Sequence, residues 1–304
     1  MTSRPLVSII TVNFNQTDAT CDLLDSIRRQ DYRNLEIFVV DNGSRENPAQ
    51  VFWEKYPEVK FIRSEQNLGF AGGNNLALEH AKGDFLFFVN NDAELTEGCI
   101  ERLIALFEQV PDLGIVSPII YYFRTNNQQP TTNNDIIQYA GMTRVNPFTG
   151  RNRIIGNKEL DKSQFAEPQP TAYAHGAAMM ISRRVLEQVG PMDEGFFLYY
   201  EELDWCERIR RAGFSVWVEP RACVYHKESL TVEKLGALKT YYLNRNRVWF
   251  MRRNYGGWRL AFFFVFLFLV TIPKNVLLYL LRGETENLKA FLRGVWWNFG
   301  AKFS

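Results

Sequence analysis

The sequence predicts an α/β fold: a mostly parallel central sheet with flanking helices, followed by a C-terminal hydrophobic helical region. Three observations carry this. Apolar runs at Leu6–Val12, Leu35–Val40 and Phe85–Val89 are closed by turn residues, as strands buried on both faces are. Stretches with helical spacing separate the runs, such as Leu23, Leu24 and Ile27. Beyond about residue 233 the chain turns to clustered arginines, tryptophans and long apolar runs.

The elements follow in order. Leu6–Val12 is a first strand, stopped by Asn13-Phe14-Asn15, and Thr17 or Asp18 caps a helix to about Gln30. Leu35–Val40 is a second strand, closed by Asp41-Asn42-Gly43-Ser44. A helix over 47–56 and a short strand over 59–62 come next. The glycine-rich segment 67–75 opens a helix to about Ala81. Phe85–Val89 is a buried strand ending in Asn90-Asn91-Asp92, followed by a helix over 96–108 and a strand over 114–120. Strand–helix alternation implies βαβ units. Residues 124–170, rich in Asn, Gln, Thr and Pro, read as an irregular excursion and a mobile loop over a site. Ala177–Ile181 is apolar again, and a helix over 203–212 stops at Gly213. Two short strands, 214–218 and 222–226, end the α/β part.

The 304 residues are 46% hydrophobic and 23% charged, a globular composition. A net charge of +1 gives no electrostatic reason for a nucleic-acid partner. Cys21, Cys99, Cys206 and Cys223 are widely spaced, with no Cys-x-x-Cys, which argues for a reducing compartment and against a zinc site. The apolar run after Met1 is too short for a signal peptide.

In open α/β sheets, ligands collect beyond the carboxyl ends of the strands. Asn13, Asp41 and Asn91-Asp92 stand at such ends. A carboxylate at Asp92 suits a divalent cation on a phosphorylated ligand; the bland alternative is a polar turn. Asp41 can accept hydrogen bonds from a base or ribose, or form an Asx turn. The loop 67–75 offers backbone N–H groups at a helix start, where an anion is stabilised. It lacks both Gly-x-Gly-x-x-Gly and Gly-Lys-Ser/Thr, which leaves dinucleotide oxidoreduction and P-loop hydrolysis unsupported. Glu201, Glu202 and Asp204 either complement a helix N-terminus or supply a general base. His226, at a strand end, is a metal ligand or a structural histidine.

Leu260–Leu281 has the length of a membrane span, interrupted by Pro273-Lys274-Asn275. Basic residues on both sides place both ends on the cytoplasmic face. This favours a hairpin embedded in or lying on the membrane over 258–282, peripheral or monotopic. The alternative is a helix pair buried between subunits of a homo-oligomer.

The ordered motifs make the chain recognisable. Val7-Ser8-Ile9-Ile10-Thr11-Val12-Asn13-Phe14-Asn15, Val39-Val40-Asp41-Asn42-Gly43-Ser44, Asn67-x-Gly69-Phe70-Ala71-x-x-Asn74 and Gly83-Asp84-x-Leu86-x-x-Val89-Asn90-Asn91-Asp92 come first. Gly176–Ile181, Phe196-Phe197-x-Tyr199-x-Glu201-Glu202-x-Asp204-x-Cys206, His226 and Ser229 continue the series. Over about residues 5–230 the chain resembles the family 2 glycosyltransferases, in the rhamnosyltransferase-like branch that builds bacterial surface polysaccharides.

The resemblance implies a GT-A fold, that is, a Rossmann-like sheet with flanking helices. It implies inverting transfer from a nucleoside-diphosphate sugar (dTDP or UDP) to a lipid-linked or glycan acceptor, with Mg²⁺ or Mn²⁺. Residues 1–120 would be the nucleotide-sugar half, 121–232 the acceptor half and 233–304 a membrane-associated region. Donor-binding positions would be Thr11, Asn13, Asp41, Asn67, Gly69, Asn74, Asn91 and Asp92, with Asp41 at the nucleobase. Asp92 and His226 would hold the metal. Glu202 occupies the base position, with Asp204 as a fallback. Asn90 and Asn91 depart from the family's acidic pattern, and Glu replaces the more usual Asp at the base. A sugar nucleotidyltransferase would need a basic glycine-rich loop near the N-terminus, which Asn13-Phe14-Asn15-Gln16 is not. A non-catalytic sugar-nucleotide-binding subunit would not need Asp92, Glu202 and His226 together.

Overall fold

The computed structural model describes residues 4–123, 135–227 and 236–300; Ser229 and residues 124–134 of the excursion lie outside the described residues. The chain begins with β1 (Val7–Asn13), α1 (Thr17–Arg28), β2 (Leu35–Asn42), α2 (Ala49–Lys55), β3 (Val59–Ser64), α3 (Gly69–Leu76) and β4 (Phe85–Val89). β1 lies between β2 and β4, with β3 beyond β2, and every one of these pairings is parallel. Strands covered on both faces need apolar side chains in both directions, which is why β1 and β4 read as near-continuous apolar runs.

Next come β5 (Ala93–Leu95), α4 (Cys99–Gln109), β6 (Leu113–Tyr122), β7 (Ile137–Tyr139), β8 (Gln169–Pro170), β9 (Ala178–Ser182), α5 (Arg183–Val189), α6 (Glu201–Arg211) and β10 (Ser215–His226). The full order is β3-β2-β1-β4-β9-β6-β10-β5. β9 enters antiparallel between β4 and β6, while β10 is parallel to β6 and antiparallel to β5. The sheet is thus parallel on one side and mixed on the other. The two strands expected at 214–218 and 222–226 are one strand, with a break in register between Glu219 and Cys223. Pro220 has no N–H for the ladder, so the strand bulges there.

The described part of the excursion is packed, which corrects the expectation of a mobile loop there. β7 pairs with β6, Tyr139 and Tyr173 are fully buried, and Ile137 N donates to Glu159 O at 2.8 Å.

The C-terminal region comprises α7 (Gly236–Asn254), α8 (Gly257–Phe266), a π turn (Leu267–Thr271), α9 (Ile272–Leu281) and α10 (Thr285–Gly300). The expected break at Pro273 does not occur: α8, the π turn and α9 form one 25-residue helix, Gly257–Leu281, about 37 Å long. Proline lacks an N–H and its ring crowds the carbonyl four residues back; widening the preceding turn to π geometry relieves both. The chain reverses instead at Gly283, and α10 returns, with Phe264 against Phe299 and Tyr279 against Phe291. α10 also seats on α7. A Cβ on Gly294 would stand 2.5 Å from Tyr241 O, so only glycine allows this approach. Val248, Phe250, Met251, Phe263, Phe291 and Val295 belong to the same apolar core as the sheet.

Candidate active site

The strand ends are joined by a buried polar network. Register sets Asn13 beside Asp41. Asn13 Nδ2 donates to Asp41 Oδ1 at 2.8 Å, and Arg63 Nη1 donates to Asp41 Oδ2 at 2.6 Å. Asp41 is therefore sealed, with both oxygens already engaged. Thr20 Oγ1 donates to Asn13 Oδ1 at 2.9 Å and accepts from Asn91 Nδ2 at 3.0 Å. Asn91 thus faces α1 and ties the end of β4 to β1 and β2. Thr11 Oγ1 is buried without a partner.

The loop before α3 does not offer the expected anion cradle at its start. Leu68 N donates to Asn42 Oδ1 (2.9 Å), Gly69 N to Asn67 Oδ1 (2.8 Å) and Phe70 N to Phe197 O (2.6 Å). With these donors satisfied by protein acceptors, no free N–H row remains there. Gly69, at φ +75°, presses its backbone against Phe197, where a Cβ would overlap. Asn74 Nδ2 caps Phe70 O at 2.9 Å. The segment locks α3 to the loop that precedes α6.

Asp92 and His226 meet because β5 and β10 pair antiparallel, setting His226 opposite Ala93. His226 Nδ1 lies 2.9 Å from Gln138 Oε1 on β7. An amide oxygen accepts, so Nδ1 carries the proton and Nε2 presents a lone pair. Asn90 Nδ2, at 3.3 Å, can donate to it. Asp92 Oδ1 stands 3.1 Å from the same nitrogen, and Asp92 Oδ2 is buried without a partner. A carboxylate oxygen and an imidazole nitrogen this close are joined either by a proton or by a metal cation. The pair fits a divalent ion. Among the described residues no cluster of three or more His, Cys, Asp or Glu could hold one, so further ligands would be water and phosphate oxygens, as for Mg²⁺.

Glu202 opens α6. A Cβ on Gly176 would stand 3.6 Å from the Phe70 ring and 4.0 Å from the Glu202 carboxyl carbon, so these three line one recess. Desolvation pushes the Glu202 carboxyl up to about 7, opposed by backbone hydrogen bonds at the helix start. Burial, then the Glu202 charge, pushes Glu201 well above the carboxylate range. The segment after Tyr173 bridges Glu202 to the Asp92–His226 pair. Ala177 O accepts from Asn90 N at 2.9 Å, and the His175 ring centre lies 6.4 Å from that of His226. Burial, and then His226, lowers His175 to about 3, so its imidazole is neutral. Asp204 points elsewhere: fully buried, it pairs with Arg208 Nε (3.1 Å) and Arg253 Nε (3.3 Å) and accepts from Asn254 Nδ2 (3.0 Å).

The approach to α6 is strained. Phe197, Tyr199 and Tyr200 all have positive φ, at 63°, 71° and 76°, costing of order 1–3 kcal/mol each. α7 holds this run. Asn246 Nδ2, fully buried, lies 2.8 Å from each of Phe196 O, Leu198 O and Tyr199 O. Arg245 Nη2 donates to Gly195 O (2.5 Å) and Phe196 O (2.7 Å). Nothing in the sequence singles out Gln138, His175 or Asn246, and Arg245 stands there only as one of a cluster of arginines.

This mixed sheet, with its polar groups gathered at the strand ends, has the GT-A fold. The chain belongs to glycosyl transferase family 2, whose family model matches residues 8–190. It is 29% identical over 216 residues to the low-salt glycan biosynthesis hexosyltransferase Agl10 of Haloferax volcanii, covering 69% of this chain and 63% of that protein. It is 22% identical over 271 residues to the N-acetylglucosaminyl-diphospho-decaprenol L-rhamnosyltransferase of Mycobacterium tuberculosis, covering 84% and 87%. Among solved structures, the mannosyltransferase PcManGT of Pyrobaculum calidifontis, in complex with GDP-Man and Mn²⁺, superposes with a TM-score of 0.58 at 16% identity, over 99% of this chain and 89% of that one. GalNAc-T7 with UDP, GalNAc and Mn²⁺ gives 0.60 at 17% identity, over 80% and 51%.

Proposed function

We propose that this glycosyltransferase moves rhamnose or a similar sugar from a dTDP- or UDP-linked donor to a hydroxyl of a lipid-linked or polysaccharide acceptor. The transfer inverts the anomeric carbon and depends on Mg²⁺ or Mn²⁺. The observation that carries this is the Asp92–His226 pair, with Asp92 Oδ2 unpartnered and the Glu202 recess joined to it through residues 175–177. A divalent ion bound by Asp92 and His226 would neutralise charge gathering on the departing diphosphate.

The chain's own residues do the rest. Glu202 takes the acceptor hydroxyl proton; a carboxyl at about 7 suits a base working near neutral pH. Gln138 orients the His226 ring so that Nε2 faces Asp92, where it would ligate the ion in place of its contact with Asn90. Thr11, Asn13, Asp41, Asn67, Gly69, Asn74 and Asn91 shape the donor side, Asp41 from beneath the base. Asp204 anchors α6 on α7 and is a positioning residue, not the base.

The long helix seats the enzyme on the cytoplasmic face of the membrane. Trp258, Phe262, Val265, Leu269, Leu277 and Leu281 are exposed along one side, while Phe263, Leu267 and Thr271 are buried on the other. The seating of Phe263, Leu267 and Thr271 on the domain supports a helix lying in the bilayer surface, with its exposed apolar side at the acyl boundary. Arg259, Lys274 and Arg282 accompany the stripe and suit anionic headgroups.

The test is product analysis across a panel of nucleotide sugars with a prenyl-diphosphate-linked sugar as acceptor. Release of nucleoside diphosphate, abolished by EDTA and coupled to an inverted glycosidic bond, is expected. Release of pyrophosphate, or turnover indifferent to EDTA, would refute the reading.

A further inference from the structure

The geometry points to an anion site formed by Arg247 and Arg151, which takes the diphosphate of a prenyl-linked acceptor; this rests on the transfer reading above. Arg247 is 8% exposed. Its Nη2 reaches Asn244 Oδ1 at 3.2 Å, the only hydrogen bond of its side chain among the described residues, and its Nε is buried with no partner. Among the described residues, the charged and titratable groups around it are Tyr200, Arg151 and Tyr279. No carboxylate is among them, and Arg151 is a like charge. A buried guanidinium without a counter-charge is rare, because stripping its water is repaid only by an anion or a full set of acceptors.

Its position gives the ligand class. Tyr200, one residue before the Glu201-Glu202 pair, lies within electrostatic reach of Arg247, Glu202 and Arg151 together. On the other side, a Cβ on Gly150 would meet Arg247 Cγ at 3.2 Å and the Phe263 ring at 2.8 Å. Arg247 therefore sits where the base recess meets the apolar helix. Arg151, exposed on the Asn146–Arg151 turn, stands at the rim. An acceptor entering from the bilayer has an apolar tail, a diphosphate and a sugar hydroxyl, in that order. Phe148, on the same turn as Arg151, packs its ring 5.8 Å from Trp258 and 5.9 Å from Phe262, so the near end of the stripe, the two arginines and Glu202 follow in that order. Arginine suits this role because its planar fork matches phosphate oxygens.

The test uses the full chain in detergent with farnesyl diphosphate as the probe, titrated calorimetrically against wild type, Arg247→Gln and Arg151→Gln. Melting curves confirm folding; Arg151, being exposed, keeps the test alive if Arg247→Gln does not fold. Each loss should weaken binding by about tenfold or more, since a charge-assisted contact is removed. Farnesol should bind equally to all three proteins. Mn²⁺-dependent binding of UDP or dTDP, measured in the same samples, should not change. Unchanged farnesyl diphosphate affinity in both variants overturns the site. So does equal competition by phosphatidylglycerol vesicles, which would make it a general headgroup site. Loss of nucleotide binding in wild type with the farnesyl diphosphate result intact would sink the transfer reading instead.

Discussion

Glu202→Gln should make the protein inactive and more stable at once. The carboxyl lies at about 7 in the folded chain against an ordinary 4.5. A rise of that size corresponds to about 3 kcal/mol, and partial water access and coupling to Glu201 reduce it to about 2 kcal/mol. The sign follows from proton linkage. The folded state holds the Glu202 proton more tightly than the unfolded chain does. That stabilisation is full below pH 4.5 and is lost as pH rises through about 7. Glutamine stays neutral and loses nothing over the same window. The variant should therefore melt about 3 °C above wild type near pH 8 and level with it near pH 4. Transfer should fall by about a hundredfold or more while donor binding survives. Wild-type rate should climb with pH through about 7 and then flatten. Melting curves across this range, with turnover on the same samples, measure all three. Near-normal turnover, or a melting difference that does not grow with pH, refutes the base assignment.

Other consequences follow from the C-terminal helices. Asn246→Ala releases three carbonyls from the strained run before α6. Turnover should drop by about tenfold or more with donor KM little changed, and the alkaline-rising pH profile should shift; an unaltered profile would make Asn246 merely structural. Leu269→Glu together with Phe262→Glu puts charge into the exposed stripe. Flotation with anionic vesicles should be lost while the melting temperature holds, and retained flotation would remove the stripe from membrane binding.

The strands that were legible are the buried ones. Val7–Asn13 and Phe85–Val89 announce themselves because a central parallel strand is apolar on both faces. β5 was invisible, since Ala93-Glu94-Leu95 carries no run and exists only through β10. Yet it is this pair that brings His226 to Asp92. Pro220 split one strand into two on paper because a bulge looks like a boundary. Asp92, His226 and Glu202 stand in ordered motifs, and the structure sets Asp92 beside His226. Gln138 and Asn246 stand in none: each acts across a long sequence gap, and neither has a local signature. The glycine-rich loop suggested phosphate binding, but its first donors are consumed by Asn42, Asn67 and Phe197, which spacing alone does not reveal. Pro273 suggested a hairpin corner, whereas a π turn absorbs it.

The most direct measurement is calorimetric titration of the nucleotide-sugar donor with and without Mn²⁺, on wild type and on Asp92→Asn. Metal-dependent binding in wild type that disappears in the variant is the predicted result. Binding that ignores the metal, or survives the loss of the Asp92 carboxylate unchanged, would contradict the assignment of Asp92 and His226 as the centre of the site.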